Sequence, residues 1–270
     1  MFRHLDLFTG FGGFAYGLEA TGGFQTVAMC EISRECRPVL ERHFPRAARF
    51  RAIQYLEGRK LANFLPIHLA TAGFPCQDAS VANIAGAGTK GARTGLFEHA
   101  VRLAGYLECG LLMENVPGLL VRGFGDVLRA LAEIGFDAEW ECISARDAGA
   151  DHERERLWIM AYPGGEGRKG FEHYHGVLSR ARTALAQHGD EAFSGWRALV
   201  SGQSVLRGGD GISVAMERRR LHGLGNAVCP SIPQAIGQAI LEKAGWSLGN
   251  AAANQAKTFA VGRRMKPIYP

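Results

Sequence analysis

The sequence predicts an α/β fold in which helices cover both faces of a mostly parallel, doubly wound sheet. Strand-like and helix-like patterns alternate along roughly the first 160 residues, the order that builds parallel sheets through crossover connections. Hydrophobic residues make up 47% of the chain, which is enough for a sizeable core, and 36 glycines indicate many tight turns. A chain of 270 residues fits one large domain with a small addition.

Six short apolar runs, bounded by glycine, proline or polar residues, predict the strands. Runs of this length suit strands that are buried on both faces of a sheet. They occupy residues 4–8, 25–31, 69–75, 110–116, 138–145 and 156–162.

Five longer stretches have helical periodicity. Glycines close the first of them, and Ser33 is a favourable N-cap for the second. The fourth is amphipathic, with Val127, Leu128, Leu131 and Ile134 on one face. The last has an early proline and an apolar face of its own. The predicted helices are residues 14–24, 33–44, 95–108, 124–136 and 231–245.

The alternation stops after Pro163. Residues 163–217 are rich in Gly, Arg, His and Ser with weak apolar periodicity, which predicts a small second domain or a long functional loop. We therefore divide the chain into a first catalytic part (1–162), an inserted region (163–217), a return to the first domain (218–245) and a polar tail (246–270).

Charge and cysteine usage restrict the possible functions. The net charge of +5 suits a polyanionic partner and equally an ordinary soluble protein. The six cysteines are scattered without a CxxC pair, so we expect free thiols and no metal site. No signal-peptide character and no apolar stretch of the roughly 18 residues that a membrane span needs are present, so we expect a cytoplasmic protein.

"DLFTGFGGF" (6–14) has the form of a nucleotide-binding turn. A strand runs into Gly10, Gly12 and Gly13 and then into a helix, whose N-terminal N–H groups are free to bind a ligand. Glu31, at the end of the next strand, is placed to accept two ribose hydroxyls. The spacing differs from GxGxxG, and a plain tight turn explains the glycines as well.

Two further motifs follow predicted strands. In "TAGFPCQDASVAN" (71–83), Cys76 lies at the carboxyl end of a strand, where α/β proteins bind ligands, although a lone cysteine is more often a small buried side chain. In "MENVPG" (113–118), Glu114 and Asn115 end an apolar run. Burial there would raise the pKa of Glu114 and make it a proton donor; a surface carboxylate is the alternative.

Two more motifs come later in the chain. In "HERERLWIMAY" (152–162), Arg154 and Arg156 alternate along a strand and share one face, which suits a carboxylate or phosphate or simply a solvated edge. "LHGLGNAVCPSIP" (221–233) is a glycine-rich turn that leads into the last helix.

Taken in this order, the motifs resemble the DNA (cytosine-5) methyltransferases over about residues 4–162 and 217–242. "GFPCQDASVA" is similar to the family's nucleophile motif, "RTGLF" (93–97) to the one after it, and "ENV" to its glutamate motif. "HERERLWIMA" resembles the glutamine-x-arginine-x-arginine block, with His152 where glutamine is usual. "GLGNAV" (223–228) resembles the last motif. The resemblance implies a Rossmann-like fold that uses S-adenosylmethionine and carries a small target-recognition domain at 163–217.

The resemblance also implies roles for the catalytic residues. Cys76 would add to carbon 6 of a flipped-out cytosine, and Glu114 would donate a proton to ring nitrogen 3. Asn115 would hold its loop, while Arg154 and Arg156 would steady the base. For the cofactor the resemblance implies Phe8, Gly10, Phe11, Gly12, Gly13, Glu31, Ile53, Pro75, Leu96, Asn226 and Val228.

One position departs from the family. Its usual glycine-aspartate-isoleucine stretch, whose aspartate takes the adenine amino group, reads Arg51, Ala52 and Ile53 here. Losing a hydrogen bond to a neutral partner costs about 0.5–1.5 kcal/mol, or up to about tenfold in affinity. Gln54 or a water molecule could substitute.

Other functions remain open at this point. An RNA (tRNA) cytosine-5 methyltransferase has the same motifs, and a DNA-binding relative weakened by Ala52 is a second alternative. An unrelated nucleotide-binding oxidoreductase is a third alternative, because the glycine turn permits it. In that case the motif positions of Cys76, Glu114 and Asn226 would be coincidental. We expect double-stranded DNA as partner and a bacterial or phage-encoded monomer. A restriction endonuclease of the same system is a possible further partner, and the sequence does not decide between such a partner and an orphan enzyme.

Overall fold

A computed structural model describes residues 1–75, 94–150, 153–165, 170–187 and 228–246. Its centre is a seven-stranded sheet in the order β3-β2-β1-β4-β5-β7-β6. The strands are β1 Phe2–Leu7, β2 Phe24–Cys30, β3 Ala48–Phe50, β4 Leu69–Gly73, β5 Gly110–Asn115, β6 Phe136–Ser144 and β7 Glu155–Pro163. The helices are α1 Gly13–Ala20, α2 Arg37–His43, α3 Phe97–Leu107, α4 Phe124–Glu133, α5 177–187 and α6 Ser231–Lys243.

The sheet is mostly parallel, as the sequence predicts. β3, β2, β1, β4 and β5 run parallel, while β7 pairs antiparallel with both β5 and β6. Because β1 and β4 are neighbours although their chain connections diverge, the sheet has its topological switch point between them. Ligands of doubly wound sheets bind there, beyond the carboxyl ends of the strands.

Apolar side chains are buried on both faces of the sheet. Along β7, Leu157 and Ile159 join the core that packs under α3 and α4, whereas Trp158 and Met160 join the core under α5 and α6. The strict alternation follows from the two-residue period of a strand. Both faces are covered, so the fold class predicted from the sequence is confirmed.

Most predicted elements lie within a few residues of their expected bounds, and three differences have clear causes. The second helix begins at Arg37, not at Ser33: the Ser33 hydroxyl accepts the backbone N–H groups of Glu35 and Cys36, as an N-cap does, but residues 34–36 form a turn that precedes the helix. β3 is only three residues long, which is too short for a pattern to show. α5 was not predicted either.

α5 lies inside the region assigned to the insertion, yet it packs on the sheet. Val177, Leu178, Ala181 and Leu185 are buried in the same core as Trp158. Their spacing is that of one helix face. Residues 177–187 therefore belong to the body of the fold. No helix within the described ranges is long and apolar enough to cross a membrane.

α1 and α6 pack in unusually close contact. A Cβ on Gly17 would lie 2.2 Å from the carbonyl oxygen of Pro230 and 2.8 Å from Cγ of Pro233. Real Cβ atoms do not approach so closely, so only glycine allows this helix contact. The C-terminal helix is thereby fixed against the beginning of the chain.

We expect Gly17→Ala to destabilise the fold by about 1–3 kcal/mol, because the added methyl group overpacks the α1–α6 contact. The free energy of unfolding in urea measures it. Gly125→Ala is the matched control, since a Cβ there meets nothing within 4 Å in α4; helix propensity alone makes it neutral or stabilising by up to about 1 kcal/mol. Equal stability of both variants would contradict the close packing.

Candidate active site

The predicted motifs meet at the carboxyl edge of the sheet. The glycine turn follows β1, Phe74 and Pro75 follow β4, and Glu114 and Asn115 end β5. These three strands are parallel neighbours, so their ends lie side by side. Cys76, His152 and Asn226 lie outside the described residues.

The turn after β1 has a left-handed backbone. Phe8, Gly10 and Gly12 have φ angles of 55°, 56° and 90°. Gly12 is the N-cap of α1 and supplies no side-chain cap, which leaves the first N–H groups of the helix to other partners. The turn is therefore built as sequence analysis expects of a ligand-binding turn.

Glu31 holds this turn in place. One carboxylate oxygen accepts the N–H of Gly10 at 2.6 Å, and the other accepts the N–H of Ser33 at 2.6 Å. An ionised carboxylate has about four acceptor positions, so capacity for two more donors remains. Glu31 thus has a structural role beside the ribose role that the resemblance implies.

Glu114 is a buried carboxyl group beside an arginine. It is 7% exposed, and Nε of Arg156 lies 3.0 Å from its Oε1. Burial raises the pKa of Glu114, the cations of Arg156 and Arg154 oppose that effect, and the balance is a raised pKa. The pairing register explains the contact, because Glu114 faces Trp158 across β5 and β7, with Arg156 on its diagonal.

Asn115 links the ends of β4 and β5. Its Nδ2 donates to the carbonyl oxygen of Phe74 at 3.2 Å, and its Oδ1 accepts the N–H of Val116 at 2.8 Å. The side chain is 2% exposed, so these bonds are protected from water. The chain is thus fixed two residues before Cys76.

Val228 brings the C-terminal motif to the same place. A Cβ on Gly13 would lie 2.5 Å from the carbonyl oxygen of Val228. A Cβ on Gly73 would lie 3.8 Å from Cγ2 of Val228 and 3.6 Å from Oε2 of Glu114. Val228 therefore lies between the glycine turn and the buried carboxyl group.

The remaining residues implied for the cofactor divide into two groups. Ile53 is buried in the core under α3, and Phe8 and Leu96 pack against that core. Phe11 and Pro75 are half-buried in the loops after β1 and β4. Within the described residues, these five side chains do not form one contact cluster.

Ala52 lines a cleft of about 370 Å³ at the carboxyl end of β3. The other lining residues are mostly apolar, with two cations and no carboxylate: Ile32, Phe50, Arg51, Tyr55, Leu56 and Lys60. Among the described residues, no acidic side chain of this cleft replaces the aspartate that the family usually has. The turn, Glu31 and the apolar walls fit a nucleoside, but the described part of this corner offers no acidic partner for an adenine amino group.

Sequence analysis missed a buried polar chain below the turn. The Thr71 hydroxyl donates to Oδ1 of Asp6 at 2.8 Å, and His4 lies 2.8 Å from Thr71 and 3.0 Å from Thr26 through its two ring nitrogens. Burial lowers the pKa of His4 to about 3, so its ring is neutral. Polar residues at alternate positions of an apolar strand were the available signal.

Cys229 was also missed, because no pattern singles it out. It is half-buried just before α6, and burial raises the pKa of its thiol while nearby Arg154 opposes that effect. The thiol is therefore neutral and a weak nucleophile. Among the described residues, no three His, Cys, Asp or Glu side chains form a metal-binding group.

We expect Arg156→Met to raise the pKa of Glu114 further and to destabilise the protein in a pH-dependent way. A carboxyl group whose folded pKa is raised stabilises the fold below its unfolded pKa, and that contribution is lost as the pH rises through the folded pKa. The loss should reach about 3 kcal/mol at pH 8, where an unpaired buried charge remains, and be smaller at pH 4.5. Urea unfolding at both pH values measures it.

Arg129→Met is the control for this change, because Arg129 forms an exposed ion pair with Asp126 on α4. It should cost less than about 1 kcal/mol with no such pH dependence. A loss at Arg156 that is equal at both pH values would show that ionisation of Glu114 is not coupled to it.

Comparisons with known proteins identify the family of the chain. The family model described as "C-5 cytosine-specific DNA methylase" matches residues 2–185. The type II methyltransferase M.Sau3AI of Staphylococcus aureus is 31% identical over 176 residues, which cover 58% of this chain and 42% of that protein. The chain thus matches about two fifths of the length of such curated relatives.

Solved structures give the same answer. A DNA modification methyltransferase encoded within an E. coli prophage is 26% identical, with a TM-score of 0.52 and coverage of 60% of this chain and 47% of that one. The methyltransferase EhMeth of Entamoeba histolytica is similar in fold alone, at 12% identity, a TM-score of 0.62 and coverage of 90% and 98%. Since the family model covers more than half of the sequence, the chain belongs to the C-5 cytosine-specific DNA methylase family.

Proposed function

We propose that this chain transfers a methyl group from S-adenosylmethionine to carbon 5 of cytosine in double-stranded DNA. The observation that carries the proposal is the buried carboxyl group of Glu114, paired with the partly buried Arg156, one strand away from the segment that leads into Cys76. A buried carboxyl group with a raised pKa can donate a proton to a ring nitrogen. A base must leave the duplex to reach such a group.

The proposed chemistry begins at the base. The Cys76 thiolate adds to carbon 6, and the electrons of the 5,6 double bond make carbon 5 nucleophilic as Glu114 protonates nitrogen 3. Carbon 5 then bonds to the methyl group, and the leaving sulfur keeps the electron pair. A water molecule takes the carbon 5 proton, which restores the 5,6 double bond and expels the thiolate, and nitrogen 3 returns its proton to Glu114.

The described residues support this chemistry in two ways. Asn115 binds the carbonyl oxygen of Phe74, the second residue before Cys76 in the sequence, to the end of the strand that carries Glu114. Arg156, and Arg154 beside it, keep the carboxyl group from becoming too weak an acid to release its proton. S-adenosylmethionine supplies an electrophilic methyl group when bound; the glycine turn, Glu31 and Val228 would hold it.

Target recognition is proposed for the part of residues 163–217 that follows α5, because α5 itself packs on the sheet. The activity of the whole protein, a restriction endonuclease partner and a monomeric state are likewise proposals. The segment after α5 is short, which predicts a short or relaxed recognition site.

Covalent trapping tests the reaction. Fluorine at carbon 5 cannot be lost as a cation, so wild-type protein with S-adenosylmethionine should remain attached to duplex DNA containing 5-fluorocytosine, seen as a slow band on a denaturing gel. We expect Cys76→Ser to abolish the band while DNA binding persists. Cys229→Ser should still give it, since that thiol is neutral and weakly nucleophilic.

Two outcomes would overturn the proposal. Wild-type protein that binds S-adenosylmethionine but forms no adduct with DNA would exclude the covalent route. An adduct with 5-fluorocytidine tRNA alone would assign the RNA reaction.

Ala52→Asp should tighten binding of S-adenosylmethionine. A carboxylate at this corner of the cleft can accept the adenine amino group, and a hydrogen bond to a charged group contributes about 1.5–3 kcal/mol, which is at least about tenfold. Isothermal titration calorimetry measures the dissociation constant. Ala52→Asn, with a neutral acceptor of the same size, should give a smaller gain. Unchanged affinity in both variants would show that the adenine does not reach position 52.

A further inference from the structure

The net charge of the protein is concentrated in one segment. Residues 34–60 contain eight basic and three acidic side chains, a net charge of +5, which equals the charge of the whole chain. The other 23 basic and 23 acidic residues cancel. The basic residues of this segment are Arg34, Arg37, Arg42, Arg46, Arg49, Arg51, Arg59 and Lys60.

The segment forms one edge of the sheet. It contains α2, β3 and the 3₁₀ turns Ile53–Tyr55 and Gly58–Phe64, and β3 pairs only with β2 at the end of the strand order. All of its basic side chains are exposed except that of Arg37, which is half-buried. We call this surface the basic edge.

Several arginines of the basic edge have no acidic partner. Within the described residues, no carboxylate lies within 4.0 Å of Arg34, Arg42, Arg46 or Arg51. In contrast, the exposed Arg129, Arg180 and Arg182 elsewhere each pair with an acid. The basic edge therefore carries uncompensated positive charge that repels itself, and a polyanion would relieve that repulsion.

The position of the basic edge determines what it can contact. α2 has seven residues and is about 10 Å long, which matches about three phosphates along one DNA strand. β3 lies four strand positions from β5, or about 19 Å from the strand of Glu114. At about 3.4 Å per base pair, that distance corresponds to about six base pairs.

We infer that the basic edge binds the phosphate backbone of duplex DNA about six base pairs to one side of the target cytosine. This inference rests on the proposed function for its choice of DNA. The contact is independent of base sequence, because phosphates carry none of the sequence information. It would hold the protein on DNA while the catalytic end searches for its site.

The test measures how salt weakens binding of a random-sequence 30-base-pair duplex. The test variant is Arg34→Gln/Arg42→Gln/Arg46→Gln. Three lost phosphate contacts should reduce the slope of log affinity against log salt by about 2.7, since each contact contributes about 0.9. The matched control Arg129→Gln/Arg180→Gln/Arg182→Gln removes the same formal charge from other surfaces and should leave the slope unchanged.

The possible results separate this inference from the proposed function. The inference would be overturned if the test variant kept the wild-type salt slope or if the control variant lost as much slope as the test variant. It would also be overturned if the test variant bound folded tRNA more weakly but bound duplex DNA as well as the wild-type protein does. In methylation of plasmid DNA, the test variant should raise KM and leave kcat unchanged, because the basic edge does not touch the reacting atoms. If the wild-type protein showed no methylation activity but the salt slopes changed as expected, the proposed reaction would be wrong and the inferred DNA contact would stand.

Discussion

The close contact between α1 and α6 is the constraint on which the site depends. Because residues 13 and 17 have no side chains, the backbone at Val228 and Pro230 can lie against α1. That contact places Val228 between the glycine turn and Gly73, next to the carboxyl group of Glu114. Two segments that are distant in sequence thus meet at the candidate site, and the geometry of the site depends on this packing.

Two opposing effects act on the pKa of Glu114, and burial is the larger of them. Burial favours the protonated form, whereas the neighbouring arginines favour the ionised form. With burial alone, the pKa of Glu114 would be higher and its proton would be harder to release. With the arginines alone, the pKa would be lower and the carboxyl group would be ionised. The balance is a pKa above the ordinary value of a carboxyl group, which favours the protonated form that a proton donor needs.

Much of the fold followed from periodicity, because strands buried on both faces read as apolar runs and amphipathic helices show one apolar face. Residues 177–187 show where this fails, since their apolar positions are separated by Arg180 and Arg182, whose charges are paired only in three dimensions. For the site, motif order brought Glu114 and Arg156 together correctly. Alternation along β1 signals His4 and Asp6, but their partners Thr26 and Thr71 lie in distant segments, as do the surroundings of Cys229, and no local pattern encodes those contacts.

The arginines of this protein work in two different electrostatic settings. Arg156 pairs with a buried carboxylate, where a low effective dielectric makes the interaction strong and salt screens it only weakly. Arg42 and Arg46 lie in water, where each contact is weak but acts over a Debye length of about 8 Å at physiological salt. The ion pair of Arg156 holds the carboxyl group of Glu114 in a defined position, as a reaction on a cytosine ring requires. The second setting attracts a long polyanion without choosing a sequence, so the choice must come from another part of the chain.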